Sequence, residues 1–181
     1  MIRVYIQKWN KKDAPWQRIL ADVLKRDYKI EDCPEILRDE MGKPYFKDNE
    51  LHFNVSHSGE YLALAISESP VGIDIQEPKN IRDGMYRKVV QPAEQSLIGE
   101  KRQENFLRLW SLKESFVKAE GKGLRIPMKD YYFEKENDQY FVNYSGQRGA
   151  WTFNIEETLI KGYFISVCGL EKDVQWIIKQ E

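Results

Sequence analysis

The chain has 181 residues, 41% hydrophobic and 13% aromatic, with 28 Lys and Arg against 29 Asp and Glu. That length suits one domain or two closely packed halves, the core-forming content excludes disorder, and a formal net charge of −1 argues against a general nucleic-acid binder while leaving room for a local basic cleft facing a small anion or an acidic protein. Cys33 and Cys168 lack metal-knuckle or redox spacing and read as reduced and structural, and no leader or membrane span is legible, so a cytoplasmic protein without membrane partners is expected.

Residues 3–7 alternate as a strand, and residues 15–26 read as a helix that starts near Pro15 and buries Ile19, Leu20, Val23 and Leu24. A polar connector follows. Leu51, Phe53 and Val55 then alternate with His52, Asn54 and Ser56, and Ser58, Gly59 and Glu60 predict a turn into the apolar run 61–66, giving a hairpin. After Ser69 and Pro70 comes a strand over 71–76, with Val71, Ile73 and Ile75 on one face and Gly72, Asp74 and Gln76 on the other. The stretch 77–80, Glu-Pro-Lys-Asn, is the best linker and divides the chain into an N-terminal half, 1–76, and a C-terminal half, 77–181. The second half opens with helical segments over 82–90 and 93–101. A long helix over 106–124 follows, with Gly121 and Gly123 as stop signals. Strands over 131–135, 139–144, 151–155, 163–169 and 174–178 close the chain. Both halves place antiparallel-looking strands after helix, which predicts an α+β fold with a hint of internal symmetry.

The long helix carries the densest chemistry. Glu114 and Lys118 lie one turn apart, so a metal-binding or proton-accepting carboxylate can sit beside an ammonium that holds phosphate or acts as a base. The plainer reading is a solvated i,i+4 pair worth about 0.2–0.5 kcal/mol. Lys113 falls within the apolar arc of Phe106, Leu109, Trp110, Phe116 and Val117, where an unpaired ammonium is costly, so it requires a partner. Asp74 and Gln76 share a strand face and offer oxygen ligands suited to a hard cation such as Mg²⁺, with Glu114 the natural further ligand; a structural ion pair is the alternative. His57, flanked by the hydroxyls of Ser56 and Ser58 and followed by Gly59, can meet phosphate or be a hairpin histidine with no ligand. Lys43, held between Gly42 and Pro44, is another constrained cation. Lys8, Lys11, Lys12 and Arg18 are a candidate phosphate cluster or a solvated face.

Taken in order, Gly42-Lys43-Pro44, Phe53-Asn54-Val55-Ser56-His57-Ser58-Gly59, Gly72-Ile73-Asp74-Ile75, and Trp110-Ser111-Leu112-Lys113-Glu114-Ser115-Phe116-Val117-Lys118-Ala119 with Gly121-Lys122-Gly123-Leu124 resemble the surfactin-synthetase-activating type of 4′-phosphopantetheinyl transferase. The resemblance implies a pseudo-twofold α+β fold of two similar halves, each a helix packed on an antiparallel sheet, with coenzyme A in the cleft between them. It implies Mg²⁺-dependent transfer of the 4′-phosphopantetheine arm of coenzyme A to a serine of an apo acyl or peptidyl carrier protein, with release of adenosine 3′,5′-bisphosphate. Asp74 and Glu114 match its metal ligands, Lys118 its lysine near the pyrophosphate, and Lys43, Ser56 and His57 its coenzyme-contacting positions. Glu114, directly or through a metal-bound water, is the preferred base, with Lys118 the competitor.

The chain departs from the resemblance at two places. Gln76 stands where a second acidic residue is usual, which predicts a weaker metal site and an altered balance between Mg²⁺ and Mn²⁺. The region before the first helix is short, which leaves Arg18 and the neighbouring lysines as unanchored candidates for coenzyme contact. Two alternatives stay open: a catalytically weakened protein that binds coenzyme A or a carrier, and a Mg²⁺-dependent phosphohydrolase acting on a nucleotide. Arg82, Met85, Arg87, Lys88 and Leu97 form a candidate surface for an acidic carrier, and a monomer is expected.

Overall fold

The computed structural model describes residues 1–10, 12 and 14–179, apart from the side chain of Leu124. Strand β1 (Ile2–Lys8) leads to helix α1 (Trp16–Val23), which continues as a single π turn over Leu24–Tyr28. The hairpin β2 (Ile36–Arg38) and β3 (Pro44–Phe46) precedes β4 (His52–Ser58), β5 (Tyr61–Ser67) and β6 (Val71–Gln76). Then come α2 (Asp83–Val89), a 3-10 turn Pro92–Glu94 that runs into the short α3 (Gln95–Ile98), and α4 (Arg102–Glu120). The chain closes with β7 (Tyr131–Glu136), β8 (Gln139–Tyr144), β9 (Gln147–Arg148), β10 (Thr152–Glu156), β11 (Phe164–Gly169) and β12 (Val174–Ile178). The architecture is α+β.

Two sheets form the frame, ordered β12-β1-β5-β4 and β10-β11-β6. All their pairings are antiparallel except β1 with β12. Period-two alternation explains how they meet. Ile2, Val4 and Ile6 of β1, with the small Ala63 and Ala65 of β5, share one core with Val71, Ile73 and Ile75 of β6 and Ile165 and Val167 of β11. The opposite face of the first sheet, carrying Tyr5, Leu62, Leu64 and Phe53, packs on Ile19, Leu20, Val23 and Leu24 of α1 and its π turn. A third core joins Phe106, Leu109, Leu112 and Phe116 of α4 to Tyr131 and Phe133 of β7 and Val142 of β8. Strand β6 pairs with β11, and β12 pairs with β1, so each side of residue 76 supplies a strand to the other.

Gly72 decides how closely α4 lies on β6. A Cβ there would sit 2.1 Å from the Ser115 carbonyl oxygen and 2.3 Å from the Ala119 nitrogen, both backbone atoms, so the helix lies against bare strand backbone. At its far end α4 stops on Gly121, whose φ of +71° is left-handed and whose N–H caps the Val117 carbonyl. This agrees with the expected stop signal.

Elsewhere the structure adjusts the sequence expectations. The polar connector contains the β2–β3 hairpin, whose three-residue strands are too short for alternation to reveal. The helical segment expected over 93–101 ends at Ile98, because Gly99 turns the chain at a positive φ. The long helix begins earlier, at Arg102. Lys113 does find its partner: it is fully buried with Glu94, 2.9 Å away, and its ammonium lies 4.9 Å from the centre of the Tyr131 ring. Among the described residues, no helix is long and apolar enough to cross a membrane.

Candidate active site

Strand β6 is the edge of its sheet, and an edge leaves backbone groups without ladder partners. Side chains from two other elements take them up at Ile73. Asn54 of β4 accepts the Ile73 N–H at 2.9 Å, and Lys118 of α4 donates to the Ile73 carbonyl at 3.0 Å. These contacts hold three elements together around Asp74. Its Oδ1 accepts from Lys118 Nζ at 2.7 Å and from Ser56 Oγ at 3.0 Å, while Lys118 also reaches Ser56 Oγ at 2.9 Å. Asp74 Oδ2 accepts from Gln76 Nε2 at 2.6 Å, and Gln76 Oε1 accepts from Lys79 Nζ at 2.9 Å. Asp74 and Gln76 do share a face, as strand alternation predicts, and Asp74 is almost fully buried.

Glu114 lies one turn before Lys118 and faces a cleft of about 610 Å³ that Lys43, Asn54, Lys118, Met128 and Tyr131 also line. Burial raises its pKa, the Asp74 carboxylate raises it further, and Lys118 opposes both. A carboxylate held above its ordinary range accepts a proton more readily near neutral pH. Lys43 comes from the turn before β3 and donates to the Ala119 carbonyl at 3.2 Å, in the last turn of α4. Burial lowers its pKa, with Asp39 acting in the other direction. Two cations, Lys43 and Lys118, therefore line the cleft with the Glu114 carboxylate, and the buried Asp74 carboxylate lies behind Lys118.

That donor set suits a divalent cation. Mg²⁺ is commonly held by one or two carboxylates and completes its shell with water and substrate phosphate. Asp74 and Glu114 could provide the two carboxylates, and a cation between them would offset the repulsion that raises Glu114. Among the described residues there is no cluster of three or more His, Cys, Asp or Glu side chains that could hold a metal.

The remaining sequence candidates fall at different distances from this cluster. Ser56 joins it, but its neighbour His57 points to the other face of β4, where its exposed ring lies 4.9 Å from the Trp9 ring. Arg18 sits on the exposed side of α1 and Lys12 is exposed, neither lining the cleft. Lys8 is exposed at the end of β1, and Lys11 lies outside the described residues. Sequence reasoning missed Asn54 and Lys79. A polar residue alternating with Phe53 and Val55 was a usable signal for Asn54. Lys79 carried none, since a lysine in a linker is ordinary. A second cavity of about 630 Å³ opens beside β1 and the π turn, bordered by Arg3, Tyr5, Arg26, Asp27 and Lys29. Arg26 there is bound by both its Nε and one terminal nitrogen to Asp27, Lys29 donates to the Arg26 carbonyl, and Asp27 is the one carboxylate among the residues that border it.

Residues 70–168 match the ACPS family, the 4′-phosphopantetheinyl transferase superfamily. The 4′-phosphopantetheinyl transferase gsp of Aneurinibacillus migulanus is 33% identical over 95% of this chain and 76% of its own length. The 4′-phosphopantetheinyl transferase Sfp of Bacillus subtilis (strain 168) is 32% identical over 91% of this chain and 78% of its own. The chain belongs to the 4′-phosphopantetheinyl transferase superfamily, and the matched segment contains Asp74, Glu114 and Lys118.

Proposed function

We infer that the protein is a 4′-phosphopantetheinyl transferase that moves the phosphopantetheine arm of coenzyme A to a serine hydroxyl of an apo carrier protein. The observation that carries this reading is the meeting of Asp74, Ser56 and Lys118 beside a Glu114 of raised pKa, in a cleft bordered by Lys43. In the reaction the serine oxygen bonds to the phosphorus that bears the pantetheine arm. The bond from that phosphorus to the bridging oxygen breaks, and adenosine 3′,5′-bisphosphate leaves. Glu114 takes the serine proton, because it is the carboxylate that lines the cleft, while Asp74 is buried and bound to Lys118. Lys118, already bound to Asp74 and Ser56, turns an ammonium towards phosphate oxygens, and Lys43, which also lines the cleft, supplies a second cation. Asp74 and Glu114 would hold Mg²⁺, which when bound neutralises charge developing on the pyrophosphate. Preorganisation of this kind is worth about 10²–10³ in rate for each donor.

Residues 1–76 and 77–181 then work as two halves of one catalytic unit, a monomer in the cytoplasm, since the cleft takes Lys43 and Asn54 from one and Glu114, Lys118 and Tyr131 from the other. His57 and Arg18 are assigned to the periphery of the coenzyme site, with the His57 ring tilted against Trp9 where a planar or anionic group could rest.

Incubation with coenzyme A, Mg²⁺ and a panel of apo acyl and peptidyl carriers, read by intact mass, tests the reading. A phosphopantetheine adduct that disappears with Asp74→Asn or Glu114→Gln is the expected result. Coenzyme A binding without an adduct, in Mg²⁺ or Mn²⁺, would instead identify a weakened binding protein, and turnover without carrier would identify a hydrolase.

A further inference from the structure

The departure at Gln76 has its own geometry. Gln76 is 8% exposed on β6, its Nε2 donates to Asp74 Oδ2 at 2.6 Å, and its Oε1 accepts from Lys79 Nζ at 2.9 Å. The amide orientation follows from its partners, since an ammonium only donates and a carboxylate only accepts. Turning the amide over would set its oxygen against the Asp74 carboxylate and its NH₂ against the Lys79 ammonium. Both hydrogen bonds involve a charged group, the stronger kind in proteins. Asp74 Oδ1 is meanwhile taken by Lys118 and Ser56. Every oxygen of the Asp74–Gln76 pair thus has a donor, and Lys79 holds the amide so that its nitrogen faces the carboxylate.

We propose that Gln76 is a positioning residue and not a metal ligand, and that Lys79 is its anchor: the relay Lys79–Gln76–Asp74 orients Asp74 and leaves the site two carboxylates to hold a divalent cation. This deepens the transferase reading and rests on it for the identity of what the carboxylates hold. The relay gives the chain a site of low negative charge, with an amide dipole and a distant ammonium in place of a third anionic group. It also makes Lys79, a linker residue with no chemistry of its own, a determinant of metal affinity.

Direct Mn²⁺ titration of the whole protein without coenzyme A reads the relay independently of turnover. The test compares the wild type with the near-isosteric Gln76→Met, with Lys79→Met and with the double variant. Gln76→Met should bind Mn²⁺ as tightly as the wild type or more tightly, since it removes a donor that competes for Asp74. Lys79→Met should tighten binding by about threefold or more when Gln76 is present, because the amide is then free to turn its oxygen towards the ion, and by clearly less in the Gln76→Met background. Lys79→Arg, which keeps the donor, should behave as wild type. Weakening by more than about threefold in Gln76→Met would make Gln76 a ligand and overturn the proposal. So would equal effects of Lys79→Met in both backgrounds, which would leave only the charge of Lys79 acting. Gln76→Glu, which supplies a third carboxylate, reports that the titration reads this site. Absence of Mn²⁺ binding in every variant would remove the site itself. Failure of the transferase reading shows separately, as a wild type that binds Mn²⁺ yet loads no carrier.

Discussion

Ionising Glu114 in the cleft sets burial and the Asp74 carboxylate against the single attraction of Lys118. Because its pKa is raised on folding, the folded chain holds this proton more tightly than the unfolded chain, so stability falls as pH rises from the ordinary carboxyl range through the folded value. Glu114→Gln should therefore melt higher than the wild type at about pH 8 and close to it at about pH 4, as thermal scans would read. The same substitution should lower carrier loading by about 10²–10⁴-fold, the usual contribution of a general base. A Glu114→Gln chain that loses activity without the gain in stability would assign Glu114 to binding alone. That Glu114 and Lys118 project together was legible from their one-turn spacing. The ion pair of Lys118 with Asp74 was not, because its partner comes from a strand 44 positions earlier in the chain.

At the scale of elements, the site depends on how α4 lies on β6. Gly72→Ala places a methyl against the Ser115 and Ala119 backbone, and overpacking of this kind costs about 1–3 kcal/mol. The expected result is a lower denaturation midpoint together with loss of transfer, since α4 and β6 carry the two carboxylates. Gly84→Ala is the contrasting case. Nothing lies within 4 Å of a Cβ there, and the helix α2 should gain about 0.5–1 kcal/mol. The opposite wall of α4 is held by the buried Lys113–Glu94 pair. Glu94 also accepts the N–H of Gln91 and of Phe133, each at 2.8 Å. Burial lowers the Lys113 pKa, and Glu94 counteracts it. Lys113→Met strands a buried carboxylate and should cost about 3–5 kcal/mol, while adding Glu94→Gln should restore much of the loss. Urea denaturation of the single and double variants checks both. A helical wheel was enough to require a partner for Lys113. Choosing Glu94 needed the turn between α2 and α3, which folds back onto the helix.

Across the whole molecule, the exchange of β6 and β12 between the two sides of residue 76 means that neither sheet is complete without both. The cleft inherits this, with Lys43 and Asn54 arriving from before the exchange and Glu114 and Lys118 from after it. Arg82, Arg87 and Lys88 are exposed on and beside α2, near the half-exposed Met85, a surface that would suit an acidic carrier. Reversing the charge at Arg87 and Lys88 should raise the KM for carrier by on the order of tenfold and steepen no dependence on coenzyme A, because rim charges act on encounter. Steady-state kinetics with each substrate varied in turn would show it, and an unchanged carrier KM would remove this surface from the reading.

Strand alternation put Asp74 and Gln76 on one face of β6, and helix period put Glu114 beside Lys118. Residue spacing along regular elements is local, so the amino-acid order alone sufficed for both. It sufficed as well for the hairpin of β4 and β5, whose turn residues and alternation agree, and for the glycine stop of α4. Ser56 and His57 look equivalent in the chain, yet β4 sends one into the cluster and the other towards Trp9, since successive side chains leave opposite faces of a strand. Which face meets α4 is a matter of sheet packing. So are the closure of the β6 edge by Asn54 and Lys118 and the anchoring of Gln76 by Lys79: each joins groups whose spacing is set by long-range packing, where no short-range pattern reaches.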